Sequence, residues 1–231
     1  MKSAAVSLCV ALLPLFAAAQ TCERTAGARP PLVVELYTSE GCSSCPPADR
    51  WLSTLKGRED LLPLAFHVGY WDRLGWVDRF ATREITERQY QLARALGARN
   101  VYTPQVVVHG NDWRRWPALP FVATAAPMPL KLLRRGDRVT AEVGAAPGHW
   151  TGYWVLLEDG HRSRVSAGEN RGENLAHDHV VRLYQPVADW QGAQTFTLVL
   201  PPADPVHPRR VAFVIAAAAD LRPVQALSLG C

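Results

Sequence analysis

Two cysteines three residues apart, in Gly41-Cys42-Ser43-Ser44-Cys45-Pro46-Pro47-Ala48-Asp49, carry the plainest chemistry in this chain. Such a pair can cycle between dithiol and disulfide, the first thiolate attacking a substrate and the second resolving the mixed disulfide. The two prolines bear on which cysteine does which. Neither has an N–H, so both belong in a first helical turn, where those donors have no intrahelical partner. The helix is therefore predicted to start near Ser43 or Ser44, with Cys42 just before it. There the free N–H groups and the positive end of the helix dipole favour a thiolate. Cys42 is the expected nucleophile and Cys45, set back in the first turn, the resolving thiol. The other reading of the same pair is a static disulfide that staples a turn.

The elements that must position the pair are legible in the apolar pattern. Residues 32–37 read as a strand, 46–55 as a helix, 61–68 as a second strand and 81–97 as a longer helix, an order of βαβα. In the long helix Ile85, Gln89, Leu92 and Leu96 form one stripe, and Gly97 supplies a stop. The cysteines thus fall between the first strand and the first helix. If the first two strands are parallel, their C-terminal ends share one edge, so His67, Tyr70, Trp71 and Asp72 should approach Cys42. Tyr70 and Trp71 are candidates to line a substrate groove, or else to pack a core. Glu35 lies on its strand with Val33 and Tyr37; with His67 and Asp72 it is a candidate proton relay for Cys45, or a structural acid.

A third strand, 105–109, opens after Thr103-Pro104. In a thioredoxin-like fold a cis-proline loop packs beside the cysteine pair, and the residue before the proline offers backbone groups to a substrate. This sequence resembles that arrangement, with Thr103 and Pro104 as the substrate platform. Pro117, Pro120, Pro127 and Pro129 then crowd a linker. Beyond it short strands are predicted at 130–133, 138–143, 153–158, 162–166, 174–184, 195–200, 211–217 and 224–229, with hairpin chemistry at Arg135-Gly136-Asp137 and Glu158-Asp159-Gly160. Antiparallel strands at this spacing suggest a sandwich. His177-Asp178-His179 has the look of a metal pair, but no third ligand is visible and a surface role is expected.

The chain has 231 residues, 48% hydrophobic and 20% charged, which excludes collagen-like, coiled-coil and largely disordered classes. The formal charge of +4 implies no nucleic-acid partner. Lys2, the apolar run from Ala4 to Phe16 and Ala17-Ala18-Ala19 read as a signal peptide cut after residue 19. No later stretch reaches roughly 18 uninterrupted apolar residues, so no stable membrane anchor is expected, and the protein should be periplasmic or secreted. Of five cysteines Cys9 leaves with the signal peptide. Cys42 and Cys45 are too close together to reach much else, and Cys22 and Cys231 are expected to form a structural disulfide. A zinc site needs two tight pairs and only one is present, so no metal or cofactor is expected.

The cysteine motif from Glu35 to Asp49, the run Tyr70-Trp71-Asp72-Arg73-Leu74-Gly75-Trp76, Val101-Tyr102-Thr103-Pro104-Gln105, Gly168-Glu169-Asn170-Arg171-Gly172 and His179-Val180-Val181-Arg182 together resemble the secreted bacterial thioredoxin-like family catalogued as domain of unknown function number 1223. The resemblance covers nearly the whole mature chain. It implies an α/β, thioredoxin-like N-terminal domain over 30–128 and an appended antiparallel β-rich, sandwich-like domain over 129–231. One departure is Gly69, where the family pattern has an aspartate before Tyr-Trp-Asp. The leading expectation is a thiol–disulfide oxidoreductase acting on protein or small thiol substrates, with a redox-regenerating partner. The alternatives are a copper-binding or metal-delivery protein using Cys42, Cys45 and a nearby histidine such as His67, and a non-catalytic binding module with a structural cysteine pair.

Overall fold

The structure, a computed structural model, describes residues 21–120 and 125–231. The expected signal peptide, residues 1–19, lies outside the described residues. The chain runs through β1 (Thr21–Thr25), β2 (Leu32–Thr38), α1 (Pro46–Ser53), β3 (Leu61–His67), α2 (Arg83–Ala95), β4 (Gln105–Val108) and β5 (Asn111–Asp112). It continues through β6 (Leu130–Arg135), β7 (Arg138–Val143), β8 (Trp150–Glu158), β9 (His161–Arg164), β10 (Asn174–His177), β11 (Val180–Trp190), β12 (Gln194–Val199), β13 (Arg209–Ala217) and β14 (Pro223–Leu229).

β2 and β3 are buried along their whole length, as strands covered on both faces must be. They pair in parallel, with Leu36 opposite Ala65 and Thr38 opposite His67. Alternation along β2 then sorts its side chains. Val34 and Leu36 meet Ala48 and Leu52 of α1, whereas Val33 and Tyr37 face the side on which Ile85 and Leu92 of α2 are buried. The two helices therefore cover opposite faces. α2 begins where the Thr82 hydroxyl accepts the Ile85 N–H at 3.2 Å, a side-chain N-cap.

The expected α/β class, a thioredoxin-like N-terminal domain with an appended sandwich-like one, is overturned. About 42% of the described residues lie in strands against 12% in helix, and the described residues hold two α-helices. The strands of the second half do not close on themselves. An eight-stranded mixed sheet runs β14-β13-β8-β11-β3-β2-β4-β5, taking four strands from each side of residue 129. The junction is a short parallel contact, Val180 opposite Ala65, where Ala65 N donates to His179 O at 2.9 Å. A four-stranded antiparallel sheet, β1-β6-β7-β12, covers the far end, burying Leu130, Leu132, Val139 and Ala141 against Trp154, Leu156, Phe213 and Ile215. The segment 174–184, predicted as one strand, is two: His179 takes φ 58° and sends β10 into a separate ribbon with β9.

Candidate functional site

Cys42 and Cys45 are joined as a disulfide, Cα atoms 5.5 Å apart, in the loop that leaves the C-terminal end of β2. The loop turns by Cys42 N donating to Ser39 O and Cys45 N to Cys42 O. α1 starts at Pro46, as the 46–55 range had it and later than the Ser43 or Ser44 start argued from the prolines: Cys45 is its N-cap and Pro46 and Pro47 its first two residues. This removes the expected cluster of free N–H groups beside Cys42. The prolines have none, and those of Ala48 and Asp49 are taken by Cys45 O at 2.9 and 3.1 Å. The Ser44 hydroxyl instead stands 3.4 Å from the Cys42 sulfur. Both cysteines are buried, 1% and 0% exposed, with Ser43 and Ser44 exposed between them.

Thr103, Pro104, Tyr70 and Trp71 gather beside this loop. Gln105 of β4 is registered opposite Tyr37 of β2, so Thr103-Pro104, a cis peptide, sits at the strand end from which the cysteine loop departs. The Trp71 indole donates to Thr103 Oγ1 at 2.8 Å. Its Cβ would stand 2.9 Å from any Cβ on residue 41, so only glycine fits before Cys42. The Thr103-Pro104 loop is tied to α2 by Gln89 Nε2, which donates to Tyr102 O and Gln105 Oε1, both at 2.9 Å. Burial pushes the Tyr70 phenol up to about 12, keeping it a neutral donor. Asp72 accepts from Asp78 N at 3.1 Å, and burial raises its carboxyl. A Cβ at Gly69 would lie 3.5 Å from Asp72 Oδ2, so an aspartate there would set two carboxylates side by side.

Behind the loop lies a layer of buried ionisable groups. His67, fully buried on the α1 side of β3, holds Asp78 Oδ2 through Nδ1 at 2.7 Å. Burial alone would neutralise both. For Asp78 that penalty is outweighed by His67 and by the N–H groups of Glu40 (2.8 Å) and Phe80 (2.9 Å), which bring its carboxyl down to about 2. His67 is correspondingly raised against the pull of burial by Asp78, with Asp49 and Glu40 adding to it. Glu40, also buried, accepts from the Trp76 indole at 2.9 Å, and His177 Nε2 stands 3.2 Å from its other oxygen. Asp49, one turn past Cys45 on α1, accepts from Thr38 Oγ1 at 3.1 Å; burial raises its carboxyl despite His177 and His67. His177 and His179, expected at the surface, are 3% and 1% exposed.

Glu35 is not brought to the cysteines. It lies on the α2 face, bonded by Arg88, Tyr37 and Tyr153. Sequence reasoning missed Glu40, Ser44, Asp49 and Asp78, and it singled out His177 only for the surface. It quoted Glu169 and Asn170 without a role, yet both grip the cysteine loop. Glu169 Oε2 accepts from Ser43 N and Oγ at 3.0 and 2.8 Å, and Asn170 Nδ2 donates to Glu40 O and Cys42 O, each at 2.9 Å. Of these, only Asp49 had a signal that spacing could have read, since it lies one helical turn after Cys45.

Cys22 and Cys231 form a second disulfide, Cα atoms 6.6 Å apart. Among the described residues no group of three or more His, Cys, Asp or Glu is arranged to hold a metal ion, and no helix is long and apolar enough to cross a membrane.

The chain is similar over 88% of its length to a crystal structure of a protein from Agrobacterium tumefaciens, at 28% identity and a TM-score of 0.68, covering 96% of that protein. The same share matches HBP35 of Porphyromonas gingivalis at 14% identity and a TM-score of 0.60, covering 76% of that chain, a likeness of fold alone. No curated protein matches the sequence. The family model described as protein of unknown function, DUF1223, matches residues 33–217, a span from β2 to the end of β13 that includes every residue of the cysteine site described above. The chain belongs to this family.

Proposed function

We propose that the protein is an exported thiol–disulfide oxidoreductase, periplasmic or secreted, with Cys42 as nucleophile and Cys45 as resolving thiol. The observation that carries the reading is the short-loop disulfide at a strand-to-helix junction, flanked by the Thr103-Pro104 platform and Trp71. In the reducing direction a Cys42 thiolate attacks one sulfur of a substrate disulfide, and the other sulfur leaves as thiolate with the electron pair. Cys45 then attacks Cys42 Sγ, the second substrate thiolate departs, and two electrons have passed to the substrate as the Cys42–Cys45 bond forms. An oxidising direction runs the same steps backwards, and in either case a second redox protein must restore the pair. Thr103 offers backbone groups to the substrate peptide, and Tyr70 and Trp71 flank it.

Burial of both cysteines favours a second reading, a structural disulfide. One experiment separates the two. Cys45→Ala should accumulate mixed disulfides through Cys42 with a model protein substrate, and Cys42→Ala should not. A reduction potential below about −300 mV, with no trapped substrate, would mark a structural bond.

A further inference from the structure

We infer that Glu169 is a positioning residue, a latch that holds the Cys42 loop closed, and that its release from Ser43 opens Cys42 to thiol substrates. The inference rests on the redox reading above and concerns how the site is kept shut. The oxidised pair is buried while the two serines between the cysteines are exposed, so access runs through the backbone of Ser43 and Ser44. That backbone is gripped from outside by a segment 126–130 residues away in sequence, the tip of the β9–β10 ribbon. The tip is a self-closed loop: Gly172 N donates to Val165 O and Glu173 N to Asn170 O, with Gly168 and Gly172 at φ 71° and 95°. Its shape is thus held within the loop itself, so one of its contacts can be lost while another is kept.

Its two contacts differ in kind. Asn170, 5% exposed, spends both amide hydrogens on the carbonyls of Glu40 and Cys42, and breaking these would strand buried polar groups. Glu169 is exposed, so water can replace Ser43 at its carboxylate at little cost. Asn170 is the anchor and Glu169 the part that opens. The latch also acts on reactivity. While closed it occupies the Ser43 N–H, the Cys45 N–H is already bonded to Cys42 O, and the Ser44 hydroxyl stands 3.4 Å from the Cys42 sulfur. It also sets a carboxylate, with Arg73 near it, against the residue next to Cys42, which opposes a thiolate there.

The test uses the oxidised mature protein and a neutral, water-soluble phosphine, whose attack needs access to sulfur but no thiolate. Reduction of Cys42–Cys45 should be roughly five- to tenfold faster in Glu169→Ala, with thermal stability unchanged. Glu169→Gln, which keeps an acceptor for Ser43 but loses the charge, should fall between that variant and wild type. In a Cys45→Ala background both substitutions should move the pH profile of Cys42 alkylation towards lower pH, a shift that mere loosening of the fold would not produce. Equal reduction rates in wild type and Glu169→Ala, or an unmoved alkylation profile, overturns the latch. Faster reduction in Glu169→Ala with no substrate trapped by either protein supports the latch and overturns the oxidoreductase reading instead.

Discussion

Glu35→Ala should cost about 3–5 kcal/mol of stability and leave Cys42 chemistry unchanged per folded molecule. The Glu35 carboxylate is 3% exposed and has a donor on each oxygen: Arg88 Nη2 at 2.5 Å and the Tyr153 hydroxyl at 2.9 Å on one, the Tyr37 hydroxyl at 2.8 Å on the other. Arg88, 6% exposed, lies 4.1 Å from the Tyr153 ring centre and 5.1 and 5.2 Å from those of Phe66 and Tyr184. Burial raises both phenols, Tyr37 and Tyr153, which stay neutral donors, and a guanidinium keeps its charge in proteins, so all three still need an acceptor when the carboxylate is removed. Truncation therefore strands a buried cation and two hydroxyls, losses that overlap rather than add. For a chain of this size roughly 2–4 °C per kcal/mol gives a fall in Tm of roughly 6–20 °C. Urea unfolding with both disulfides intact measures the loss, and Cys42 alkylation normalised to the folded fraction measures the chemistry. Glu35→Leu with Arg88→Leu should recover much of the stability, because an apolar pair of similar volume often matches a buried ion pair. A loss below about 1 kcal/mol would refute the cage as a structural element. A tenfold slower thiol exchange per folded molecule would restore Glu35 to the proton path.

The buried His67–Asp78 pair makes stability depend on pH in a defined window. Asp78, depressed to about 2, contributes above the ordinary carboxylate range of about 4 and loses that contribution as pH falls towards 2; His67, raised, loses its share of the same interaction as pH rises through its elevated value. Asp78→Asn should flatten the acid limb of a Tm-against-pH curve, and an unchanged limb would show the pair to be unimportant there. Asp49 runs the other way: its raised carboxyl means that the native state binds the proton more tightly than the unfolded chain, so stability falls as pH rises through that interval. Asp49→Asn should thus raise Tm at pH 8 and not at pH 4, and a lower Tm at pH 8 would contradict this. Cys22→Ser with Cys231→Ser opens a bridge spanning 209 residues and should cost about 5 kcal/mol in the chain-entropy view, leaving Cys42–Cys45 intact. An unchanged Tm, or a free Cys231 thiol on peptide mapping of the native protein, would remove the bridge from the account.

Local elements were readable because each depends on a short stretch of chain. Gly97, at φ 65°, ends the long helix where a residue without a Cβ was expected to do so, and Arg135-Gly136-Asp137 joins β6 to β7 as hairpin chemistry requires. The assembly was not readable. A strand with two covered faces gives the same apolar run whether its neighbour is the preceding strand or one a hundred residues away, and β11 joins β3 through one registered residue pair. The sandwich expectation kept β8, β11, β13 and β14 within the second half, and nothing in their alternation showed that they continue one sheet with β3, β2, β4 and β5.

The site divides along the same line. Proximity of Cys42 and Trp71 followed from parallel strand ends that must share an edge, which is a statement about direction and needs no knowledge of faces, whereas Thr103-Pro104 was placed there by resemblance to a thioredoxin-like cis-proline loop. A role for Glu35 needed a face. Odd and even positions of β2 were separable in the sequence, but which set would meet α1 depended on where the helix packed, and α1 packs on Val34, Leu36 and Thr38. Glu169 and Asn170 needed still more, because they reach the cysteines only once β9 and β10 leave the main sheet as a ribbon, a departure made at Asp178 and His179. Periodicity sees such a break as a blemish in a long strand. Physically it is what frees the ribbon tip from the sheet and lets it lie on the Ser43 backbone.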